Sequence, residues 1–451
     1  VGSTLAMGTG SLRRKIPFVA WAAAGTVCAA GSSSRAATLR CTVKDHGAVG
    51  DNRTEDTAAA QAALDSCSTV IFPAPGRYLL RPIFLRRNGT SVVVEPGATL
   101  VAWGDVDTWN ATTKYMRPLI SQDMDVPGVH VLANFSLTGG GVIDGQGWRW
   151  WPFLKTRTRP ILLNLDRAAG VHISNITFRD SPSFHVQVRG VDIEIAHSRV
   201  EANLESCQGW EHAPNTDAFN IGGHRIHLHD LWVHNGDDCI PTNPSNYDYV
   251  AFGEDGTTSD VLVERVHCEC GSNGGVLIIP GSRGTPPLDW RAGGPNTHPR
   301  SIRNVTFRHM TVVGTNQGAG FKISEAYENV TGGLVEDVTW EDIQIVNPRN
   351  VPMYINVFAE DAVAPQCRPP ADAARPQWLT AHGLTFKDIV ATTSAGSFAG
   401  CFLCSPTAPC TGLTFDNVTI SGGGANQSSF RCFNAHGSAT ASRPAPCFAT
   451  P

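Results

Sequence analysis

From Val70 onward the chain alternates apolar and polar residues in short β-branched runs cut by Gly, Pro, Asn and Asp, a pattern of many short strands. One eight-residue template recurs: apolar, any, apolar, any, any, apolar, any, apolar. It fits Val171–Phe178, Ile193–Val200 with Ser198 in one apolar slot, Ile226–Val233, Val261–Cys268, Val305–Val312, Val338–Ile345, Leu384–Ala391 and Leu413–Ile420. Successive starts lie 22 to 46 residues apart, too uneven for a helical repeat. Neighbouring strand residues face opposite sides, so apolar positions two apart point inward together, and the two-residue interruption turns the chain into the next strand. Each unit is then one coil. Coils stacked at the strand spacing bury a continuous core, while loops of unequal length leave from one side. The pattern predicts an all-β parallel β-helix; a β-sandwich would need two-residue hairpin signals that the template lacks. An Ala-rich run, Thr57–Cys67, behind polar Thr54–Asp56 predicts one helix that plugs the first coil, and the Cys-rich stretch after Ala399 predicts cover for the last.

Composition narrows the class. Of 451 residues 41% are hydrophobic and 17% charged, enough apolar material for a large core and too little charge for disorder. The 45 glycines and 29 prolines, without a triplet period, fit many turns and exclude collagen. A formal charge of −5 argues against a nucleic-acid partner, which needs a basic face.

The first thirty residues predict an export signal: basic Arg13-Arg14-Lys15, then uncharged Ile16 to Ala30 ending in small residues. That stretch is shorter than a membrane span of roughly 20 residues and contains Pro17, so no membrane association is expected after cleavage. Residues 31–40 read as a linker and 41–451 as a single domain. Losing Cys28 with the signal leaves twelve of the 13 cysteines, an even number suited to disulfides in an oxidising compartment. Nine Asn-X-Ser/Thr sequons start at Asn52, Asn88, Asn110, Asn134, Asn175, Asn304, Asn329, Asn417 and Asn426 and favour a glycosylated, secreted protein. A zinc knuckle at Cys401 and Cys404 is the rival reading, disfavoured because no His follows at finger-like spacing.

Two segments concentrate acids beside Gly and Asn: Asn215-Thr216-Asp217 and Asn235-Gly236-Asp237-Asp238-Cys239. Asp217 and Asp238 are 21 residues apart, so in a coil of that length they lie one above the other. Three carboxylates crowded together repel, which predicts that one holds a proton near neutrality. Glycosidic cleavage uses that asymmetry, with one carboxyl protonating the leaving oxygen and an ionised one activating water.

Asn-Thr-Asp followed one coil later by Gly-Asp-Asp-Cys resembles the signature of glycoside hydrolase family 28, the polygalacturonases and their relatives. Asp45–Asp51, Glu95–Leu100, and Ile143–Gly147 with Trp150 and Trp151 resemble further family segments. The resemblance implies a right-handed parallel β-helix, no metal or cofactor, and inverting hydrolysis of α-1,4 galacturonosyl bonds in a pectin-like polysaccharide. It implies a secreted cell-wall enzyme, expected to be a monomer. By motif position Asp237 is the general acid, Asp217 and Asp238 hold and deprotonate water, and Lys322, Asn215 and Asn235 bind substrate.

Two motifs depart. The family histidine is replaced by Gly274, and the Arg-Ile-Lys motif reads Gly320-Phe321-Lys322, which keeps a point charge and loses the bidentate clamp. His212, His224 or His234 could stand in for the imidazole and Arg283 for the charge, though chance surface residues account for each; Glu325 and Glu328 would repel a galacturonate. Tyr354 has no secure match to the family tyrosine. These losses leave a different acidic glycan, or a glycan-binding protein without turnover, as alternatives, and a calcium-dependent lyase as a third. The resemblance implies a Cys239–Cys270 bridge, with Cys268 competing. Trp148, Trp150 and Trp151 are candidates for sugar stacking or for core packing.

Overall fold

The computed structural model describes residues 39–109, 117–122, 131–153, 159–204, 207, 212–243, 257–271, 276–278, 301–322, 333–358, 367–370, 373, 379–393, 398–422 and 429–448. The expected export signal, Gly274, Arg283, Glu325 and Glu328 lie outside them. The described residues belong to a compact unit, Thr38–Pro451, whose first strand, Arg40–Thr42, begins inside the expected linker.

The template segments stack in register. Val171 pairs beside Ile193, then Ile226, Val261, Val305, Val338 and Leu384 follow in turn, every pairing parallel. The solenoid has a 21-stranded sheet and a five-stranded wall, the latter made by Val276–Ile278, Gln317–Lys322, Val351–Asn356, Gly400–Leu403 and Phe430–Phe433.

Corners are set by left-handed residues. The fifth position of every template segment (Asn175, His197, Asp230, Arg265, His309, Asp342, Asp388, Asn417) has φ between 49° and 58°. The residue just before each segment (Gly170, Asp192, Arg225, Asp260, Asn304, Asp337, Gly383, Gly412) has φ between 51° and 68°. Gly, Asn and Asp tolerate this region best. At three of the four corners taken by Arg or His, a carboxylate on the adjacent coil holds the side chain: Arg225 forks onto Asp192 at 2.7 and 3.0 Å, Arg265 onto Asp230 at 2.9 and 3.0 Å, and His309 Nδ1 lies 2.7 Å from Asp342.

Between corners the apolar slots fill the core. Phe307, Trp340 and Phe386 occupy the same slot on successive coils and stack at 6.2 and 4.6 Å, each ring fully buried and contributing about 1.5–3 kcal/mol of apolar burial. Ser198, the polar residue in an apolar slot, is buried and satisfied, donating to Ala196 O at 2.8 Å and accepting from Ile176 N at 3.3 Å.

The helix spans Thr57–Ser66 and buries Ala60, Ala63 and Leu64. Its N-cap side chain does not cap. Asp56 instead accepts from Val49 N and Gly50 N, and Thr57 Oγ1 accepts from Arg81 N, so these polar residues tie the helix to neighbouring turns. Six disulfides use all twelve expected cysteines. Cys401 pairs with Cys367 and Cys404 with Cys410, which removes the zinc-knuckle reading.

Candidate active site

The strand Phe219–His234 begins just after Asp217 and ends just before Asn235, so one turn of solenoid separates the two acidic segments. Ala218 N donates to Asp238 O at 3.0 Å and Phe219 N to Cys239 O at 3.1 Å, which sets the segments directly against each other. Asp217, Asp237 and Asp238 are all buried.

Backbone donors fix Asp237. Its Oδ2 accepts from Asn215 N at 3.0 Å and its Oδ1 from Asp238 N at 2.9 Å. Asn215 is left-handed, φ 55°, and its side chain accepts from Arg159 at 2.7 Å. The same guanidinium donates to Pro182 O at 2.7 Å and to Pro214 O. Arg159 is buried, and burial lowers its pKa to about 10 against the opposing charges of Asp237 and Asp217, so it stays cationic at neutral pH. Sequence reading missed Arg159, which lies 56 residues before Asn215 and carries no local signal.

Asn235 works on the turn itself. Its Nδ2 donates to Thr216 O and Asp238 O, both at 2.9 Å, and the residue is 1% exposed. Both amide hydrogens thus clamp the backbone of the turn. Asn215 is partly exposed and keeps an edge at the site.

His185 is a further residue that the sequence did not disclose. Fully buried, it has Nδ1 at 3.2 Å from both Thr216 O and Asp217 O, while Nε2 accepts from Ser181 N at 3.3 Å. Burial pushes its pKa down to about 4, so a neutral imidazole with its hydrogen on Nδ1 supports the Asp217 backbone.

The Asp217 carboxyl is pushed well above the ordinary range, first by burial and then by the charge of Asp237, with a hydrogen bond from Asn220 Nδ2 at 3.3 Å opposing. Lys322 is buried, with Nζ 3.9 Å from Asp238 Oδ2, so a positive charge sits beside the third carboxylate. Its strand neighbour is Asn356, whose Nδ2 donates to Tyr354 Oη at 3.0 Å.

Gly320, where the family has arginine, explains its own identity. Its φ is 146°, and a Cβ there would lie 1.7 Å from Tyr354 O. No side chain fits this backbone, so the arginine is excluded by coil packing.

A polar row runs from Asp217 towards earlier coils. Asn164, Gln187 and Asn220 are in register; Gln187 donates to Asn164 Oδ1 at 2.6 Å, and Arg189 reaches Asp166 at 3.7 Å. Strand alternation carries the signal: Asn164, Gln187 and Asn220 each stand between two apolar residues.

Cys239 pairs with Cys268, and Cys270 with Cys207, correcting the expected Cys239–Cys270 bridge. Cys268 is buried in register with Val233, on the core side like Cys239, whereas Cys270 has left the strand in a left-handed turn, φ 68°. Trp150 is fully buried against Trp109, Trp151 Nε1 donates to Ser181 O at 3.1 Å, and Trp148 is 55% exposed beneath the Arg149 guanidinium. His224 bonds to Ser259 and His234 packs beside Trp232.

Three buried carboxylates thus stand on adjacent coils of a stacked parallel solenoid. Residues 108–443 match the glycosyl hydrolases family 28, and the chain belongs to that family; it is a glycoside hydrolase. It is 27% identical over 400 residues to a polygalacturonase of Chamaecyparis obtusa, covering 84% of this chain and 66% of that protein, so it spans about two thirds of that relative's length. It is 27% identical over 323 residues to endo-xylogalacturonan hydrolase A of Aspergillus tubingensis, covering 69% and 70%. The crystal structure of the endo-xylogalacturonan hydrolase from Aspergillus tubingensis superposes with a TM-score of 0.67 at 20% identity, covering 91% of this chain and 99% of that one. A polygalacturonase from Erwinia carotovora gives 0.62 at 17%, covering 92% and 99%. The fold is the right-handed parallel β-helix of the pectinases.

Proposed function

We propose that this glycoside hydrolase is secreted and cleaves α-1,4 galacturonosyl bonds of a pectin-like polysaccharide with inversion. The observation that carries the reading is the set of three buried aspartates on adjacent coils, with the Asp217 carboxyl raised well above its ordinary value first by burial and then by the charge of Asp237. Asp237 gives a proton to the leaving glycosidic oxygen as its bond to the anomeric carbon breaks. Asp217 and Asp238 hold a water on the other side; its oxygen bonds to that carbon and its proton passes to a carboxylate. The two N–H donors on Asp237 hold its carboxyl still for the transfer.

Lys322 supplies a point charge for a substrate carboxylate, and the polar row from Asn220 to Asn164 supplies hydrogen bonds to sugar hydroxyls. A second substrate reading, a substituted galacturonan, is favoured by the packing that excludes arginine at position 320 and by likeness to an endo-xylogalacturonan hydrolase. Reducing-end release from polygalacturonate, xylogalacturonan and other acidic glycans tests both, with Asp237→Asn in parallel. Activity on polygalacturonate that the variant loses supports the first reading, and activity on the substituted polymer alone supports the second. Binding without turnover on every glycan rejects the hydrolytic assignment of the three aspartates.

A further inference from the structure

Beyond the corner at Arg225 the Phe219–His234 strand leaves the face that carries Asn220, and its outward side chains meet a second cluster. His227 and His229 lie two apart on this strand and face the same way. Glu194 on the preceding coil is in register with His227. One ligand-capable atom from each of Glu194, His227 and His229 lies within 4.8 Å of the other two.

Carboxylates line both rings of the cluster. His229 Nδ1 is 2.6 Å from Asp230 Oδ2, and its Nε2 is 3.3 Å from Glu194 Oε1. His227 Nε2 is 3.1 Å from Glu264 Oε1, a carboxylate that Arg265 and Arg308 also hold. His229 thus meets a carboxylate at each ring nitrogen, and His227 meets one at Nε2; the second oxygen of Glu194 lies 2.8 Å from His172 Nδ1. With the His229 N–H on Asp230, the Nε2 lone pair faces the Glu194 oxygen, and a cation held by both satisfies that pair.

We propose that Glu194, His227 and His229 bind zinc(II) or a similar borderline divalent cation, with Asp230 and Glu264 as the carboxylates that orient the two imidazoles. Two nitrogens and one carboxylate oxygen match the donor preference of zinc and leave a fourth position for water. Outer carboxylates on the second ring nitrogen are what such ligands need to hold tautomer and angle. The ion joins the Val186–Ala196 and Phe219–His234 strands, so its role is to clamp two adjacent coils.

A proton on His229 would satisfy the same contact, and direct metal titration separates the two. The full chain, stripped with chelator, is titrated with Co²⁺ by visible absorption and with Zn²⁺ by calorimetry. The expected result is one equivalent of Co²⁺ in a nitrogen–oxygen site, displaced by Zn²⁺, with Zn²⁺ binding weakened about tenfold or more in His227→Ala and in His229→Ala. Glu194→Gln, nearly isosteric, should weaken binding too, and decides the matter if an alanine variant fails to fold by circular dichroism. Asp217→Asn should leave the isotherm in place. The proposal is overturned if the parent chain takes up no stoichiometric Co²⁺ or Zn²⁺. It is equally overturned if the His and Glu variants bind as the parent does, or if Asp217→Asn abolishes binding, which would put the ion among the buried aspartates.

Discussion

The backbone N–H of Asn215 points at Oδ2 of Asp237 across 3.0 Å, one coil to the next. It does so because Asn215 is left-handed and its side chain is held by Arg159. The conformation of one residue is thereby coupled to the position of a carboxyl on another coil, through a guanidinium that also holds the carbonyls of Pro182 and Pro214.

Arg159→Lys keeps the charge but cannot reach three acceptors in a planar fork. We expect kcat to fall about 10- to 100-fold with a smaller change in KM, since misplacing a catalytic group acts mainly on the chemical step. Steady-state kinetics on Arg159→Lys and Arg159→Gln check this; a rise in KM at constant kcat would place Arg159 on the substrate instead.

The Asp217 pKa is raised first by burial and second by Asp237. In Asp237→Asn the second contribution disappears, so Asp217 titrates at lower pH than in the parent. Turnover should drop at least about 100-fold at every pH, and the basic limb of the kcat/KM profile, which reports loss of the acid's proton, should vanish. Carboxyl titration by NMR reads the Asp217 shift. An unchanged profile with activity within a few-fold of the parent removes Asp237 from the acid role.

Restoring the family arginine should fail. Gly320→Arg, and even Gly320→Ala, drives a Cβ into Tyr354 O, and each is expected to destabilise the fold by several kcal/mol, about 4 or more. Urea denaturation of both variants measures it. A stable Gly320→Arg protein with a lower KM for galacturonan would contradict the packing argument.

Asp180 carries a stability cost at neutral pH. Burial pushes its carboxyl up to about 6, partly offset by the hydrogen bond from Asn203 N at 2.6 Å. A carboxyl whose native pKa exceeds its unfolded one binds protons more tightly when folded. Its contribution is therefore intact below its ordinary value of 3.8 and declines as pH rises through about 6. Asp180→Asn, which can still accept from Asn203, should raise stability at pH 7 by about 1–3 kcal/mol and little at pH 4. Denaturation at the two pH values tests the sign.

The solenoid was legible because its core obeys period two: Val171, Ile193, Ile226 and their successors announce both the strands and their register. The corner at the fifth template position was visible as an interruption, whereas its twin before the first position was not, since Gly170, Asp192 and Arg225 share no residue type. Asp217, Asp237 and Asp238 stood out as a local cluster. Arg159 and His185 did not, because their roles depend on backbone carbonyls brought near by stacking, and sequence spacing holds no trace of that. Cys268 prevailed over Cys270 for a similar reason: the deciding fact is which side of the strand a sulfur faces.

The left-handed corners also bear on what the sequons mean. Asn134, Asn175, Asn304 and Asn417 are four of the six sequon asparagines among the described residues, and all four occupy corners, with φ between 51° and 58°. Each is followed by a buried apolar residue, then by a Ser or Thr on the outer face. A corner that favours Asn, a slot that demands an apolar side chain, and an outward strand position that suits Thr together spell Asn-X-Thr with no glycosyltransferase involved. In Asn304 and Asn417 the amide nitrogen already bonds to Asp260 and Asp388 on the neighbouring coil. At these four corners the tripeptide is a signature of coil geometry before it is a signature of the secretory pathway.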